Sequence, residues 1–227
     1  MTKGGDIPYE SITKTQETLS DLTIKYWFEY NFLTGKWWLL VGLSTVPILI
    51  WLFILDKARA RQIVLFGALI SLTAGILDTI GFTMGFWGYP VKLIPINPPY
   101  FPVDFVYLPV MYMLIYQFFP GWKGFTIANI LASCFYTFVG EPTFEWLDMY
   151  ITYRWQYIIS LPIYITMALV FKWFVELFVQ VEDETTPDQA TGSSYNKLLL
   201  LPALPILAGL SFWAGKAYGK TKRKRFR

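Results

Sequence analysis

The chain has 227 residues, of which 55% are hydrophobic and only 15% are charged, and its formal net charge is +3. Soluble domains usually carry about a quarter charged residues, so this composition is typical of an integral membrane protein. The absence of His excludes His-ligated metals and Ser-His or Cys-His nucleophile pairs, and the single cysteine, Cys134, excludes a disulfide within the chain. No GxGxxG or P-loop lysine motif indicates a nucleotide site, and we expect no metal and no cofactor.

The N-terminal region, residues 1–36, combines a polar stretch with a short amphipathic segment. Residues 1–19 are polar and lack the apolar core of a signal peptide, so we expect them to be mobile and the first span to direct insertion. Ser20 is a suitable N-cap, and aromatic residues mixed with Lys25 and Glu29 follow it. This pattern predicts a helix that either lies in the membrane interface or packs on the bundle as an ordinary amphipathic helix.

The central region, residues 37–179, contains five apolar stretches. Each is close to the roughly 20 residues that a helix needs to cross the hydrocarbon core. A proline-rich loop, residues 88–100, follows the second stretch, and an aromatic, charged loop, residues 143–156, follows the fourth. The fold class predicted is therefore all-α: a polytopic transmembrane helix bundle with a five-helix core and a sixth apolar segment at the C-terminus. The five predicted spans cover residues 37–55, 63–87, 101–119, 124–139 and 157–179.

Three further segments follow this core. Residues 180–197 are polar and acidic and predict a flexible linker, whereas residues 198–215 are apolar but contain Pro202 and Pro205. The apolar segment either spans as a sixth helix or is re-entrant. Residues 216–227 carry seven Lys or Arg. Directly after an apolar segment, such a tail indicates contact with anionic lipid rather than with nucleic acid.

The positive charges give conflicting signals about orientation. Lys57, Arg59 and Arg61 favour a cytoplasmic first loop, which would place the N-terminus outside. The basic tail also favours the cytoplasm, and six full spans would put both termini on the same side. A re-entrant final segment would satisfy both signals. Because the tail has more charges than the loop, we expect a multi-pass protein of the cell membrane with both termini cytoplasmic.

Carboxylates in or beside the predicted spans mark one end of the bundle. At a rise of 1.5 Å per residue, Asp78 lies near the far end of the second span, Asp104 near the start of the third and Glu141 at the close of the fourth. Lys92 and Arg154 lie in the two loops on that side. Because crossing direction alternates, all five should converge on one face for either orientation. At least one of Asp78 and Glu141 should meet a cation, hydroxyl or backbone donor, and Arg154 is the favoured partner.

The function of this face is open among three classes. A carboxylate inside a span is by default a functional-site hypothesis, so Asp78 and Glu141 are the candidate acid and base of a membrane-embedded enzyme acting on a lipid or isoprenoid. Alternatively, Asp104, Lys92 and Arg154 bind a ligand or form ion pairs in a protein without catalytic activity. We favour the non-enzymatic interpretation, a face for interaction or small-ligand binding, because no catalytic motif is present. A transporter or channel is the third class, although the internal repeat of many carriers is missing.

Residues 37–177 resemble an uncharacterised family of small polytopic membrane proteins from Gram-positive spore-forming bacteria. The resemblance implies a membrane topology and no assigned activity. The segment FPVDFVYLP is also similar to the proline–carboxylate motif of membrane-embedded lycopene and terpene cyclases, which implies an isoprenoid substrate. Those cyclases have two adjacent acids where this chain has only Asp104. The family resemblance rests on LDTIGFTMGFWGYPVKLIP at 77–95, FPVDFVYLPVMYMLIYQFFPGWK at 101–123, VGEPTFEWLDMY at 139–150 and YRWQYIISLPIYI at 153–165.

Overall fold

A computed structural model of the chain describes residues 8–98 and 100–185, with side chains as far as Val179. The predicted apolar segment 198–215, the basic tail and most of the linker lie outside the described residues. The elements, in chain order, are α1 (Tyr9–Tyr30), α2 (Gly35–Ile54), α3 (Ala60–Thr83), β1 (Trp87–Gly88), a first π-helix (Val103–Tyr107), α4 (Leu108–Phe118), α5 (Trp122–Phe135), a second π-helix (Tyr136–Gly140), α6 (Glu141–Trp146), β2 (Ile151–Thr152) and α7 (Tyr157–Thr185).

Three of the described helices are long and apolar enough to cross a membrane, namely α2, α3 and the part Tyr157–Val179 of α7. They coincide with the first, second and fifth predicted spans, so the helical, membrane-type fold is confirmed at this level. The third predicted span is a shorter apolar helix, Val103–Phe118, which joins the first π-helix to α4. The fourth is α5 continued by the second π-helix.

Local sequence signals explain where these helices begin and end. The Thr34 hydroxyl accepts a hydrogen bond from the Trp37 backbone N–H at 3.2 Å, which satisfies one free donor in the first turn of α2. Pro109 and Pro142 lie in the first turns of α4 and α6, each directly after a π-helix, and neither has an N–H to donate to the preceding turn. Gly85 has φ +67°, a left-handed conformation that turns the chain after α3.

The first helix corrects the sequence prediction. α1 begins at Tyr9, so the expectation that Ser20 starts the helix is wrong. Pro8 precedes the helix in an extended conformation, and Glu10 lies in the first turn, where a negative charge is favourable. Trp27 is buried, although most of the helix is exposed. The periodic pattern of apolar residues therefore starts later in the sequence than the helix does.

The interior is an apolar and aromatic core shared by α3, α4, α5 and α7. Phe66 stacks on Tyr116 with ring centroids 4.7 Å apart, and the edge of Phe125 meets Phe66 at 5.9 Å. Glycine lets helices approach closely here, since a Cβ at Gly75 would lie 2.9 Å from the Phe105 ring. The fully buried side chains of this core include Ile63, Ile70, Tyr112 and Val175.

A short antiparallel ribbon ties the two long loops together at one end of the helices. In the ribbon, Trp87 is opposite Thr152 and Gly88 is opposite Ile151. The backbone N–H groups of Tyr153 and Arg154 extend this pairing by donating to the Phe86 carbonyl at 2.8 and 3.1 Å. The loops that carry Lys92 and Arg154 are thereby fixed beside the end of α3.

Candidate functional site

Asp78 lies on the last turns of α3 and is only 5% exposed. Its Oδ1 accepts hydrogen bonds from the Trp87 indole at 2.7 Å and from the Tyr89 hydroxyl. Its Oδ2 accepts the Tyr100 backbone N–H at 2.9 Å. Neutral donors from the proline-rich loop therefore satisfy both oxygens, which meets the expectation of a hydroxyl or backbone donor.

Asp104 lies beside Asp78 because the first π-helix turns it inward. It is 6% exposed, and its Oδ2 accepts the same Tyr100 N–H at 2.8 Å. The Oδ2 atoms of Asp78 and Asp104 therefore converge on one backbone N–H, so the two carboxyl groups lie side by side. π-helical turns are frequent at functional positions.

Three tyrosines from the loops enclose this acidic pair. The rings of Tyr89 and Tyr100 stack 4.2 Å apart with an angle of 2°, and Tyr150 stacks on Tyr89 at 5.6 Å. Burial, followed by the nearby aspartates, raises the pKa of Tyr89 and of Tyr100 above its ordinary value. Burial, followed by Glu141 and Asp78, does the same to the pKa of Tyr150. These hydroxyls consequently stay protonated, and that of Tyr89 donates to Asp78.

Glu141 begins α6 directly after the second π-helix. Its Oε1 accepts the Tyr164 hydroxyl at 3.1 Å, whereas its Oε2 is buried and has no hydrogen-bond partner among the described residues. After burial, the charges of Glu141 and Asp78 both raise the pKa of Tyr150, so this tyrosine is near both acids. The structure thus places Glu141 at the same end as the two aspartates, although it does not share their Tyr100 donor.

Arg154 does not pair with any of these acids. Its side chain is exposed, and the ion pairs of the described residues do not include it. The expectation that Arg154 holds Asp78 or Glu141 is therefore wrong. The ribbon pairing directs its backbone N–H to Phe86 and leaves its guanidinium in solvent, where a charge avoids the cost of burial.

Lys92 lies in the proline-rich loop and is half-buried. Its Nζ is 5.8 Å from the centroid of the Phe82 ring, and no described carboxylate forms an ion pair with it. Burial lowers the pKa of Lys92 to about 8. The backbone of Lys92 is held firmly, because its N–H donates to Asn31 Oδ1 and its carbonyl accepts the Trp27 indole at 2.9 Å.

A small cleft of about 10 Å³, enough for one water-sized group, opens on this loop. Lys92, Asn97 and Tyr100 supply its polar lining. The Asn97 amide donates to the Thr23 hydroxyl at 2.8 Å, but Asn97 Oδ1 and the Tyr100 hydroxyl are buried without a hydrogen-bond partner among the described residues. The rest of the lining is mainly apolar: Leu93, Ile94, Ile96, Pro98, Phe101 and Pro102, with Tyr89 beside them.

Sequence reasoning found the acids of this end but missed their partners. Trp87, Tyr89 and Tyr100 carry the donors, and aromatic residues near a span end are ordinarily interpreted as interfacial anchors. The sequence signal that could have identified these partners is an acid within an apolar stretch, followed by a proline-rich loop with Trp and Tyr. The described residues contain no group of three or more His, Cys, Asp or Glu side chains that could hold a metal ion.

Comparisons with known proteins identify no relative of this chain: no family model, no curated protein and no solved structure matches it.

Proposed function

We propose that this chain is a multi-pass integral membrane protein with a core of five crossing helices, and that its polar end binds a small polar ligand without catalysing a reaction. Three helices already have the length and hydropathy of spans. The two remaining elements, Val103–Phe118 and α5 with the second π-helix, are apolar and pack beside them.

Contacts at both ends of α3 support a crossing by Val103–Phe118. Near the end of α3, Asp78 binds the Tyr100 N–H, which immediately precedes this element. Near the start of α3, Arg59 donates to the carbonyls of Tyr116 and Gln117 at 3.3 and 3.1 Å. The shorter helix therefore runs along nearly the whole length of a helix that is itself long enough to span.

The observation that carries the binding function is the contrast between Asp78 and the cleft. Both oxygens of Asp78 are satisfied by the protein, so little capacity remains there for a substrate. In the cleft, by contrast, the Lys92 ammonium lacks a described counter-ion, and Asn97 and Tyr100 each have an oxygen without a hydrogen bond. Buried polar groups are almost always hydrogen-bonded, so three incomplete groups around one cleft favour a ligand.

Native mass spectrometry of the full-length protein, released from its own membranes, tests this function. We expect retained small molecules that are lost in Lys92→Met and Tyr100→Phe. Lys123→Met is the matched control, because Lys123 is an exposed lysine at the opposite end of the helices. Retention unchanged in both cleft variants would contradict the proposed binding site.

A membrane-embedded acid–base enzyme is the second candidate. The convergence of Asp78 and Asp104 on one N–H and the unpartnered Oε2 of Glu141 favour it. Comparison of membrane lipids from cells with the wild-type chain, Asp104→Asn or Glu141→Gln tests it. Loss of one lipid species in either variant, at unchanged protein level, would support the enzyme, and identical lipid profiles would contradict it.

A further inference from the structure

The chemistry of the cleft limits what can occupy it. Lys92 supplies a positive charge that no described carboxylate neutralises. Asn97 Oδ1 can only accept a hydrogen bond, and its Nδ2 is already committed to Thr23. The Tyr100 hydroxyl is also without a partner. A fitting ligand therefore combines an anionic group for Lys92 with a hydrogen-bond donor for Asn97.

The rim of the cleft indicates that this ligand has an apolar part. Ile94, Ile96 and Phe101 line the cleft and are 37%, 53% and 41% exposed. A small soluble anion would leave these side chains in contact with water. The cleft also lies between the end of α3 and the start of Val103–Phe118, and the crossings proposed above would place these two ends near the headgroup layer.

The neighbouring helix α1 extends this interfacial surface. It joins the cleft through the bonds of Trp27 to the Lys92 carbonyl and of Thr23 to Asn97. Next to those contacts, Leu22, Phe28 and Tyr30 are 60%, 61% and 63% exposed. A helix with one anchored side and exposed aromatic and aliphatic side chains suits the headgroup layer of a bilayer.

We propose that the surface around this cleft binds the headgroup of an anionic phospholipid that carries free hydroxyl groups. Its phosphate contacts Lys92, one headgroup hydroxyl enters the cleft and donates to Asn97 Oδ1, and its acyl chains lie against the apolar rim. This inference rests on the ligand-binding function proposed above and names its ligand class. A phosphocholine headgroup has no donor and would leave Asn97 Oδ1 buried and unpaired, which is unfavourable.

The loop is already arranged for such a ligand. The indoles of Trp27 and Trp37 donate to the carbonyls of Lys92 and Leu93, each at 2.9 Å. Asn31 adds a bond to the Pro90 carbonyl at 3.2 Å. Because these bonds fix the backbone before binding, little conformational entropy is lost when the headgroup enters.

Lipid titration of the purified full-length protein, followed by native mass spectrometry, tests the proposal. The probes are phosphatidylglycerol, phosphatidylcholine and phosphatidylmethanol, which keeps the phosphate charge but has no hydroxyl. We expect phosphatidylglycerol to bind most tightly. Lys92→Met should weaken its binding by about fivefold, the effect of one lysine near an anionic membrane surface. Lys123→Met should weaken it by less than about twofold, and the basic tail is the same in both variants.

Tyr100→Phe keeps the ring that stacks on Tyr89 and serves as a second variant if Lys92→Met does not fold. It should also weaken phosphatidylglycerol binding. Equal effects of Lys92→Met and Lys123→Met, or equal binding of phosphatidylmethanol and phosphatidylglycerol, would overturn the headgroup assignment. Full displacement by soluble glycerol 3-phosphate would contradict a lipid ligand but would agree with the proposed binding function. Unchanged retention of every small molecule in both cleft variants would contradict both the lipid ligand and the binding function.

Discussion

The two ends of the helix bundle accommodate buried charge in opposite ways. The acidic end, formed by Asp78, Asp104 and Glu141, uses neutral hydrogen-bond donors. The basic end is formed by Arg59 and Lys172. Lys172 is 1% exposed and pairs with Glu176 at 2.6 Å. The rise along α3 from its N-cap, Arg59, to Asp78 separates the two ends by about 28 Å.

Aromatic side chains interact with the buried charges at both ends, but through different groups. At the acidic end, the indole of Trp87 and the hydroxyl of Tyr89 donate hydrogen bonds. At the basic end, the Lys172 ammonium donates to the Pro120 carbonyl at 2.8 Å and lies 4.9 to 5.4 Å from the centroids of three rings. The negative face of a ring attracts a cation. We therefore expect the acidic end to lose stability when a carboxylate that accepts these hydrogen bonds is removed. We expect the basic end to lose stability when the counter-ion of Lys172 is removed. The three rings are those of Tyr116, Trp122 and Phe125.

The largest effect is expected from removing the acceptor at the acidic end. Asp78→Leu leaves the donors of Trp87 and Tyr89 without their partner, whereas the Tyr100 N–H still donates to Asp104. At about 1 kcal/mol or more for each lost partner, the free energy of unfolding should fall by about 2–4 kcal/mol. Unfolding in mixed detergent micelles measures it.

Asp78→Asn tests whether the acceptor rather than the charge is responsible. It retains one carbonyl oxygen, so its loss of stability should be less than half that of Asp78→Leu. The exposed Asp21→Leu serves as the control for a carboxylate without such partners. Equal stability of Asp78→Leu and the wild type would contradict the hydrogen-bonding at this end.

The basic end should respond more to loss of the anion than to loss of the cation. Glu176→Gln leaves the Lys172 ammonium buried without its counter-ion and should lower the free energy of unfolding by about 2 kcal/mol. Glu176 is 31% exposed, so the effect is smaller than for a fully buried pair. Lys172→Met removes the charge and keeps an apolar stem, and should change stability by less than about 1 kcal/mol. The reverse order in the same unfolding assay would show that the aromatic cage, rather than Glu176, holds the lysine.

A smaller effect should follow from displacing the indole at the acidic end. A Cβ at Gly81 would lie 2.0 Å from the Trp87 ring, so Gly81→Ala must move the indole that holds Asp78. We expect a loss of about 1–2 kcal/mol, typical of overpacking. Gly42→Ala is the matched control, because its added Cβ meets nothing within 4 Å. Equal stability of the two variants in thermal unfolding would contradict the close contact between Trp87 and α3.

The smallest effect is the pH dependence contributed by Lys92. Its folded pKa of about 8 lies below the ordinary 10.5, so between these values the unfolded chain binds more protons and stability rises with pH. Above about pH 10 the buried Tyr89, Tyr100 and Tyr150 keep protons that the unfolded chain loses, and stability falls. Unfolding midpoints from pH 7 to 11 should therefore rise and then fall. In Lys92→Met the rise should be reduced while the fall remains, and an unchanged rise would exclude Lys92 as its source.

Hydropathy predicts the long helices well because the bilayer fixes their length. The first span is expected at residues 37–55 and α2 covers Gly35–Ile54; the fifth agrees with Tyr157–Val179. Helix rise and alternation were also sufficient to place Asp78 beside Asp104. Arg154 could not be assigned in this way, since the direction of a loop side chain depends on the ribbon between two distant segments. The partners of Asp78 depend likewise on how the proline-rich loop folds back over α3.

The two π-helices have a consequence for how this chain should be compared with relatives. Their hydrogen bonds close over five residues instead of four, so each contains one residue more than a regular turn. Removing that residue would rotate everything beyond it by about 100° relative to what precedes it. A homologous sequence with a one-residue gap at Val103–Tyr107 would therefore keep its hydropathy profile but present a different face of the following helix. Apparent conservation of Asp104 or Glu141 across such a gap would not imply that the carboxylate points the same way.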